Sequence, residues 1–432
     1  MGNARDKRVA ILFVIGLIAL LVIRDIIGIS INKFLLVGYT LFFITVADVK
    51  SIPKLLSFMF PLAWGLPYTY IFSGAIIIYW FKRRTIPRAT LLLVIIFFAL
   101  EMVASFFYPS TDYVLILKYI SVIAIFFTFL YDGAIDKKES IRYFFYGLVV
   151  LCAVIIVSTM KIAPSNWLYL FSRGWFRFGA KQATENDGMM LKVNANTLAY
   201  YSVIGMSIGF YFLKTNDYSR KWVKWVLITC IALLTIAGIF TVSRSWMVVA
   251  AVCIFMFIIE ESHSVKGVVL GALAIGVVLI IGYKVVQSTP ELLEGFIGRF
   301  TADDVSSQGG RTDLFWAYDR VFWSNIRFPL LGTGVTQYRA MTNVSNSFHN
   351  MVQQIIISYG IPCAICYFIG MFIPLKTIKG VKLHIVDWIP FVSVLLFAQT
   401  IQFINPETLM LPYVIAVNIL SVEADRIRSE EN

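Results

Sequence analysis

Charged residues are scarce in this sequence. Only 14% of its 432 residues are Asp, Glu, Lys or Arg, whereas 59% are hydrophobic. Soluble domains usually carry about 25% charged residues and about 45–50% apolar residues. A soluble protein of this length could not bury so much apolar surface, so the composition excludes an ordinary water-soluble protein and favours one embedded in a membrane.

The short alternating strands of an outer-membrane barrel are also lacking. Instead, apolar runs long enough to cross roughly 30 Å of hydrocarbon recur along most of the chain. Because a backbone in lipid must satisfy its own hydrogen bonds, these runs are expected to be helical. We therefore predict an all-α polytopic membrane protein with about 12–14 transmembrane helices and two long outer-face loops.

Residues that bind metals or form disulfides are few. Cys363 and Cys366 form a CxxC pair inside a lipid-length apolar run, with no second pair, so a zinc or redox site is not favoured. The sequence has three histidines, and His263 and His384 lie in or beside predicted cytoplasmic loops. Neither can meet His349 on the other side, so this topology excludes a metal centre built from several histidines.

Lys and Arg exceed Asp and Glu, giving a formal net charge of +12. Such a charge can attract nucleic acid, but in a membrane protein Lys and Arg collect in cytoplasmic loops. All basic clusters fall on one side if the apolar runs are spans. The clusters are the N-terminus, 50–54, 81–88, 136–142, 214–224, 263–266, 376–382 and the tail from 425. We therefore predict cytoplasmic termini and no nucleic-acid partner.

This topology divides the chain into five parts. They are N-terminal transmembrane helices in 1–160, a first outer loop at 161–193, central transmembrane helices in 194–283, a large outer loop at 284–348, and C-terminal transmembrane helices with a short tail in 349–432. The run 55–81 must turn back within the membrane, because otherwise the later basic clusters would not lie on the cytoplasmic side. It can do so either as two short spans or as a re-entrant loop.

The large outer loop is rich in arginine. Its arginines are Arg299, Arg311, Arg320, Arg327 and Arg339, and six acidic residues balance them. Arginine binds phosphate through a planar, permanently charged fork, so one interpretation is a site for a phosphate-bearing ligand. The other interpretation is a folded loop held by arginine–carboxylate pairs.

Two arginines stand at distinctive positions. Arg244 lies at a predicted outer span boundary, where a charge either anchors the helix at the interface or serves a site. Arg311 follows two glycines, which let the backbone approach a ligand closely. The apolar spacing after Arg311 predicts a short amphipathic helix, ended by Phe328-Pro329 and the GTG segment at 332–334.

His349 and Asn350 stand where the large outer loop meets the next apolar run. A lone imidazole there either packs as a structural residue or handles a proton. Its ordinary pKa of about 6.5 allows it to accept a proton near neutral pH. Nearby arginines would lower the pKa of His349 and favour its neutral form.

Taken in order, these motifs resemble those of the O-antigen ligase and Wzy polymerase superfamily. They are Ser243-Arg244, Arg299-Phe300, Gly310-Arg311 with Trp316, Pro329 with Gly332 and Gly334, His349-Asn350, and Gly360. Upstream, FRFGA at 176–180 and NANTLA at 194–199 resemble the family's Arg-Phe-Gly and Asn-Pro-Asn-x-x-Ala elements, with Ala195 in place of the proline. The resemblance covers 176 to about 370.

The resemblance implies a GT-C type glycosyltransferase in the bacterial inner membrane, with its site facing the periplasm or the outside. The implied donor is a glycan joined through pyrophosphate to a polyprenyl lipid such as undecaprenol. Transfer to an acceptor hydroxyl is expected to proceed with inversion and without a metal or other cofactor, although Asp303-Asp304 is an alternative metal pair. The implied partners are this donor, a glycan or lipid A-core acceptor, membrane lipids and a chain-length regulator protein.

The resemblance also implies roles for individual residues. His349 is the expected general base, and Arg311 and Arg244 are the expected cations that stabilise the departing pyrophosphate. The expected substrate-binding residues are Arg177, Asn196, Arg299, Asn350 and Trp316.

Three functions stay open at this point. A polymerase would join lipid-linked repeat units of O-antigen, capsule or exopolysaccharide, and it is preferred because such polymerases share these motifs across many envelope types. A ligase would transfer the polymer to the lipid A-core of lipopolysaccharide. A flippase or transporter of lipid-linked sugars would need charges inside its spans, of which Glu101 is the clearest.

Overall fold

A computed structural model of the chain describes residues 4–107, 113–173, 176–179, 193–215, 221–262, 269, 291, 294, 311–335, 350–400 and 410–431, with the backbone alone at 64 and 311–314. Within these residues every regular element is a helix. The predicted all-α fold is therefore confirmed.

The helices of the first part of the chain run as far as residue 261. They are α1 (Ala4–Leu21, continued by a π-helical turn at Val22–Ile27), α2 (Lys33–Val46), α3 (Ile52–Met59, continued by a 3-10 turn at Phe60–Gly65), α4 (Tyr68–Arg83), α5 (Arg88–Phe107), α6 (Tyr113–Tyr131), α7 (Lys137–Ile162), α8 (Trp167–Ser172), α9 (Ala195–Thr215), α10 (Lys221–Ile239) and α11 (Arg244–Glu261).

The helices of the second part begin at residue 311. They are α12 (Arg311–Trp323), α13 (Arg327–Leu331), α14 (Met351–Phe372, continued by a 3-10 turn at Ile373–Ile378), α15 (Ile385–Ala398) and α16 (Met410–Glu431).

Six of the described helices are long and apolar enough to cross a membrane. They are Arg5–Ile27, Arg88–Phe107, Tyr113–Tyr131, Lys137–Ile162, Lys221–Ile239 and Met351–Ile378. Three shorter apolar helices occupy Lys33–Val46, Ile52–Ala63 and Ile385–Ala398. The chain is a multi-pass membrane protein. The total number of crossings stays a prediction, because most of the chain between 263 and 310 lies outside the described residues.

The helix α5 shows why these elements suit lipid. Phe97 and Glu101 face the bundle and are fully buried, whereas Leu92 and Ile95 on the other side are more than half exposed. A helix that is apolar all round is expected where one face meets protein and the other meets lipid.

The run 55–81 turns back within the bundle. Its two ends, near Lys54 and Lys82, line one cavity of about 1280 Å³ together with Arg5 of the N-terminus. At the tip of the turn, the Gly65 carbonyl accepts a hydrogen bond from buried Arg24 at the far end of α1. The segment therefore leaves and returns to the same end of the bundle, as its flanking charges predict.

The centre of the bundle is formed by α7, α9, α15 and α16. α9 packs against α7, α10, α11 and α15, and α16 packs against α6, α7 and α15. Nearly every residue of α9 from Thr197 to Phe212 is buried. The start of α9 is therefore held in place by packing. This start carries the NANTLA motif at 194–199.

Candidate active site

One end of the bundle carries Lys and Arg side chains that have hydrogen-bond or ion-pair partners. It is called the basic end below. Lys214 in the last turn of α9 lies 3.0 Å from the Glu261 carboxylate, and Lys137 donates to the Ser421 hydroxyl at 2.7 Å. Arg428 near the end of α16 donates to a backbone carbonyl in the turn after α14. Clusters that the sequence assigns to the cytoplasmic side thus meet at one end.

The opposite end, called the arginine end below, is formed by the starts of α9, α11, α12 and α14 and the end of α15. α11 runs from Arg244 to the basic end, where Glu260 lies 3.1 Å from the His384 ring. α15 then returns from His384 towards Gln399. Because α9 has 21 residues, the two ends lie about 30 Å apart.

Arg244 is the first residue of α11 and is partly buried. It follows Val242, which is buried with φ of 51°, a conformation that β-branched residues rarely adopt. One turn further, the Trp246 indole donates to the Ser202 hydroxyl at 2.9 Å, and that hydroxyl donates to the Leu234 carbonyl at 2.7 Å. The strained turn and these two bonds fix the start of α11 against α9 and α10.

Arg177 lies between two buried phenylalanines. Phe178 donates its backbone N–H to the Phe240 carbonyl at 3.2 Å, and the two rings stack with centroids 5.0 Å apart. Phe240 directly follows α10, the helix that precedes Arg244, so Arg177 and Arg244 lie in adjoining segments. Gly179 has φ of 75°, and a Cβ there would lie 2.8 Å from the Val193 carbonyl oxygen, so only glycine fits this close approach to the start of α9.

Asn196 lies in the first turn of α9, directly behind that contact. The Asn194 side chain accepts a hydrogen bond from the Asn196 backbone N–H at 2.8 Å, which caps the helix. Ala195 is thus the first helical residue, a position where proline is also favoured because its N–H is not needed. Alanine at 195, in place of the proline of the family's Asn-Pro-Asn element, is therefore compatible with this helix start.

Asn350 caps α14 and joins it to α15. Its side-chain oxygen accepts from the Gln353 backbone N–H at 3.1 Å, and its amide nitrogen donates to the Gln399 side chain at 3.0 Å. Near the end of α15, the Phe397 ring lies 5.2 Å from the Tyr200 ring, one turn along α9 from Asn196. No pattern in the sequence indicates Gln399, which joins the start of α14 to the end of α15.

The start of α12 lies beside the start of α14. The Gln353 side chain donates to the Phe315 carbonyl at 3.1 Å, one turn after Arg311. Arg311 opens α12, and its backbone is therefore brought to the arginine end. The Trp316 ring packs edge-on against Phe315 and remains 52% exposed, so it has room to meet a ligand.

The described residues thus place Arg177, Asn196, Arg244, Asn350 and the backbone of Arg311 at the same end of the bundle. His349 and Arg299, like the alternative pair Asp303-Asp304, lie outside the described residues. Their roles stay predictions.

The described part of the chain places the starts of α9, α11, α12 and α14 at the arginine end. The N-terminus of a helix carries a partial positive charge and unpaired N–H groups, so it attracts anions. Arg244 and Arg311 add full charges at two of these starts. The combined potential suits a doubly charged leaving group such as a pyrophosphate.

The family comparison agrees with this geometry. The model of the O-antigen ligase family matches residues 228–368, about a third of the chain. Residues 228–368 thus resemble the O-antigen ligase family, and this matched segment is called the O-antigen ligase domain below. The resemblance to this superfamily is thereby confirmed, and it supports a ligase- or polymerase-type enzyme that acts on lipid-linked glycans. No curated protein matches the chain.

The O-antigen ligase domain includes most of the candidate residues. They are Arg244, Arg299, Arg311, Trp316, His349 and Asn350. Arg177 and Asn196 precede the matched segment, so for them the geometry above is the supporting observation.

Within the O-antigen ligase domain, α14 is interrupted at Gly360, which has φ of 72° and ψ of 168°. The interruption and the following Pro362, which has no N–H, leave the Ile357 and Ser358 carbonyls without their usual helical donors. The GTG segment supplies replacements: Thr333 donates to Ile357 at 2.9 Å and Gly334 donates to Ser358 at 2.8 Å.

The GTG motif is thus a structural element of the O-antigen ligase domain. A Cβ on Gly332 would overlap the Ser358 carbonyl, and a Cβ on Gly360 would lie 2.6 Å from the Leu330 carbonyl carbon. Glycine is required at both positions because the two backbones touch. The sequence pattern did not indicate that this segment supplies donors to a broken helix.

The amphipathic helix predicted after Arg311 is observed, but its end differs. α12 ends at Trp323, and Pro329 lies inside the separate short helix α13 rather than ending α12. The predicted apolar face is buried, since Tyr318 and Phe322 form a small core with Phe328 and Ile357. Proline fits α13 because it occupies the first turn, where its missing N–H costs nothing.

Proposed function

We propose that this protein is a polymerase of lipid-linked oligosaccharide repeat units, of O-antigen, capsule or exopolysaccharide type. It transfers a glycan from polyprenyl pyrophosphate to an acceptor sugar hydroxyl, with inversion and without a metal ion. The observation that carries the proposal is the placement of Arg177, Arg244 and the start of α12 at the same end of a membrane bundle whose residues 228–368 match the O-antigen ligase family.

The proposed reaction needs two kinds of group. The acceptor oxygen attacks the anomeric carbon, the bond from that carbon to the phosphate oxygen breaks, and the pyrophosphate leaves with the bonding electrons. His349 takes the proton of the acceptor hydroxyl, a contribution of typically about 10²- to 10⁴-fold. Arg244 and Arg311 stabilise the charge that grows on the leaving group, with Arg177 beside them.

The fold supports the remaining requirements. The polyprenyl tail is long and apolar, and helices with exposed apolar faces surround the arginine end, so the tail can stay in lipid while its pyrophosphate reaches the arginines. We further propose that the arginine end faces the periplasm or the outside, because the basic end has the lysine-rich composition of a cytoplasmic face.

A ligase is the second candidate, and the description of the matched family as O-antigen ligase favours it. A ligase uses the same donor and the same leaving group but transfers to a lipid A-core hydroxyl. A transporter is supported less, because the buried Glu101 accepts a hydrogen bond from the Val335 backbone N–H at 2.7 Å and so has a structural partner.

Deletion of the gene, followed by gel analysis of surface polysaccharide, tests the proposal. A polymerase predicts that single repeat units accumulate and that long chains return with the wild-type gene but not with a His349→Ala gene. Free polymer that fails to reach lipid A would instead identify a ligase. An unchanged polysaccharide pattern in the deletion strain would contradict both.

A further inference from the structure

A small folded unit carries two of the candidate motifs. It comprises α12, α13, residues 332–335 and the first half of α14 (351–359), and is called the glycine-locked unit below. Tyr318, Phe322, Phe328 and Ile357 form its own core, separate from the main core of the bundle. Arg311 opens this unit, and His349 directly precedes Asn350, which caps its last helix.

One face of α5 docks this unit onto the bundle. Phe97 packs edge-on against Tyr359 at 4.5 Å, and the Phe107 ring lies 4.5 Å from the Arg327 guanidinium. Glu101 lies between these two contacts on the same face, since positions 97, 101, 104 and 107 share one side of a helix. α5 comes from the N-terminal half and lies outside the matched family segment.

Glu101 makes the polar contact at the centre of this docking face. It is fully buried, and its Oε1 accepts the Val335 backbone N–H at 2.7 Å. Val335 directly follows the two residues whose N–H groups complete the broken helix α14. Glu101 therefore holds the loop that caps the end of the first half of α14.

The fit around Gly334 shows how close this docking is. Gly334 has φ of 72°, and a Cβ there would lie 2.9 Å from Glu101 Oε2 and 2.9 Å from the Ala104 Cβ. Any side chain at 334 would push the loop away from α5. Gly334 and the Glu101 carboxylate thus form one close contact between this loop and α5.

We propose that Glu101 is a positioning residue that anchors the glycine-locked unit to α5 and so keeps the start of α14, with His349 and Asn350, in register with the arginine end. The anchor follows from the contacts above, and its consequence for catalysis rests on the proposed function. A buried N–H that loses its acceptor destabilises the local structure, so removal of Glu101 should release the unit without unfolding the bundle.

Hydrogen exchange of the purified full-length protein in detergent tests the anchor. We expect Glu101→Ala to raise exchange of the amides in 333–335 by about tenfold or more, and to raise exchange in 351–359 as well. Glu101→Gln keeps an acceptor oxygen and should restore most of the protection. Unchanged protection in Glu101→Ala would overturn the anchor.

Glu423→Ala is the matched control. Glu423 is also a buried glutamate, 3% exposed, but it lies at the basic end, where it accepts from the Tyr211 hydroxyl at 2.7 Å. Its loss should alter exchange near 211 and 423 and leave 333–335 unchanged. An equal rise at 333–335 in both variants would show general loosening and overturn the specific role of Glu101.

Polymer length in the deletion strain tests the consequence. Glu101→Ala should shorten the chains and Glu101→Gln should largely rescue them; normal chains in Glu101→Ala despite faster exchange would overturn the positioning role. If the wild-type gene restores no polymer, the proposed function fails while the exchange result still decides the anchor. If Glu101→Ala does not accumulate, Gly334→Ala loosens the same contact from the other side, and its effects should not add to those of Glu101→Gln.

Discussion

The two ends of the bundle hold cations in different settings, although Lys137 of α7 at the basic end also begins a helix. At the basic end, Lys82 and Arg83 finish α4 and Lys214 finishes α9, where the negative end of the helix dipole favours them. At the arginine end, Arg244 and Arg311 are the first residues of their helices, where the dipole disfavours a cation.

Under the proposed function, the basic end carries charges that stabilise the fold, whereas Arg244 and Arg311 bind the departing pyrophosphate. Ion pairs such as Arg83 with Asp132 at 3.2 Å hold the basic end together. Arginines at helix starts add no dipole stabilisation, and they become favourable when an anion binds beside them. Substitutions at the basic end should therefore lower stability, whereas substitutions at the arginine end should lower catalytic activity.

The sharpest contrast is between two histidines. His349→Ala should abolish long-chain polymer while the protein still accumulates in the membrane, because the acceptor hydroxyl loses its base. His384→Ala, at the basic end, should leave the chains long. Gels of surface polysaccharide with immunoblots of membranes measure both, and normal chain length in His349→Ala would remove the general base from the mechanism.

Arginine geometry gives the next largest effect. Arg311→Lys should lower the rate of polymer formation nearly as much as Arg311→Ala, by roughly 10²-fold, because a point charge does not replace a planar fork on a phosphate. The control is Arg428→Lys at the basic end, which should be nearly silent. Initial rates with a lipid-linked donor measure this, and near-normal activity in Arg311→Lys would argue against a two-pronged phosphate contact.

Glycine positions distinguish close packing from backbone conformation alone. Gly332→Ala adds overlap with the Ser358 backbone to an unfavourable φ and should cost about 3 kcal/mol of stability. Gly380→Ala has a similar φ of 81° with open space around it and should cost only about 1 kcal/mol. Thermal unfolding in detergent compares the two; equal losses would mean that the GTG contact is loose.

Asn350 tests the join between α14 and α15. Asn350→Ala should cost about 1 kcal/mol, because the helix cap is lost. Asn350→Asp keeps the cap but replaces the donor to Gln399 with a carboxylate, so it should be less destabilised and still lose activity. If both variants keep full activity, the link from α14 to α15 has no role in the reaction.

The smallest expected effect concerns metals. Addition of EDTA to the purified enzyme should leave its rate unchanged, because the arginines and helix N-termini take the place of a divalent cation at the leaving group. Strong inhibition that Mg²⁺ or Mn²⁺ reverses would favour the alternative pair Asp303-Asp304.

Local patterns predicted much of this molecule. The basic clusters indicated which helix ends meet, as the contacts of Lys137 and Lys214 show, and the spacing of Tyr318 and Phe322 predicted the buried face of α12. These predictions succeed because they depend on composition and helical period, which are properties of neighbouring residues.

Contacts between distant segments could not be predicted from composition and helical period. Nothing near Glu101 in the sequence points to Val335, and nothing near Val242 indicates its left-handed backbone. Gln399 likewise contacts Asn350 only because α15 returns beside α14.

The sequence by itself determined a helical membrane bundle, the grouping of its charges and the residue types of the candidate chemistry, because hydropathy and charge act locally along each helix. Only the tertiary structure decided that the starts of four helices converge with the arginines, and that a glycine segment and a buried glutamate complete a broken helix. The physical reason is that buried backbone groups must find partners wherever the fold supplies them.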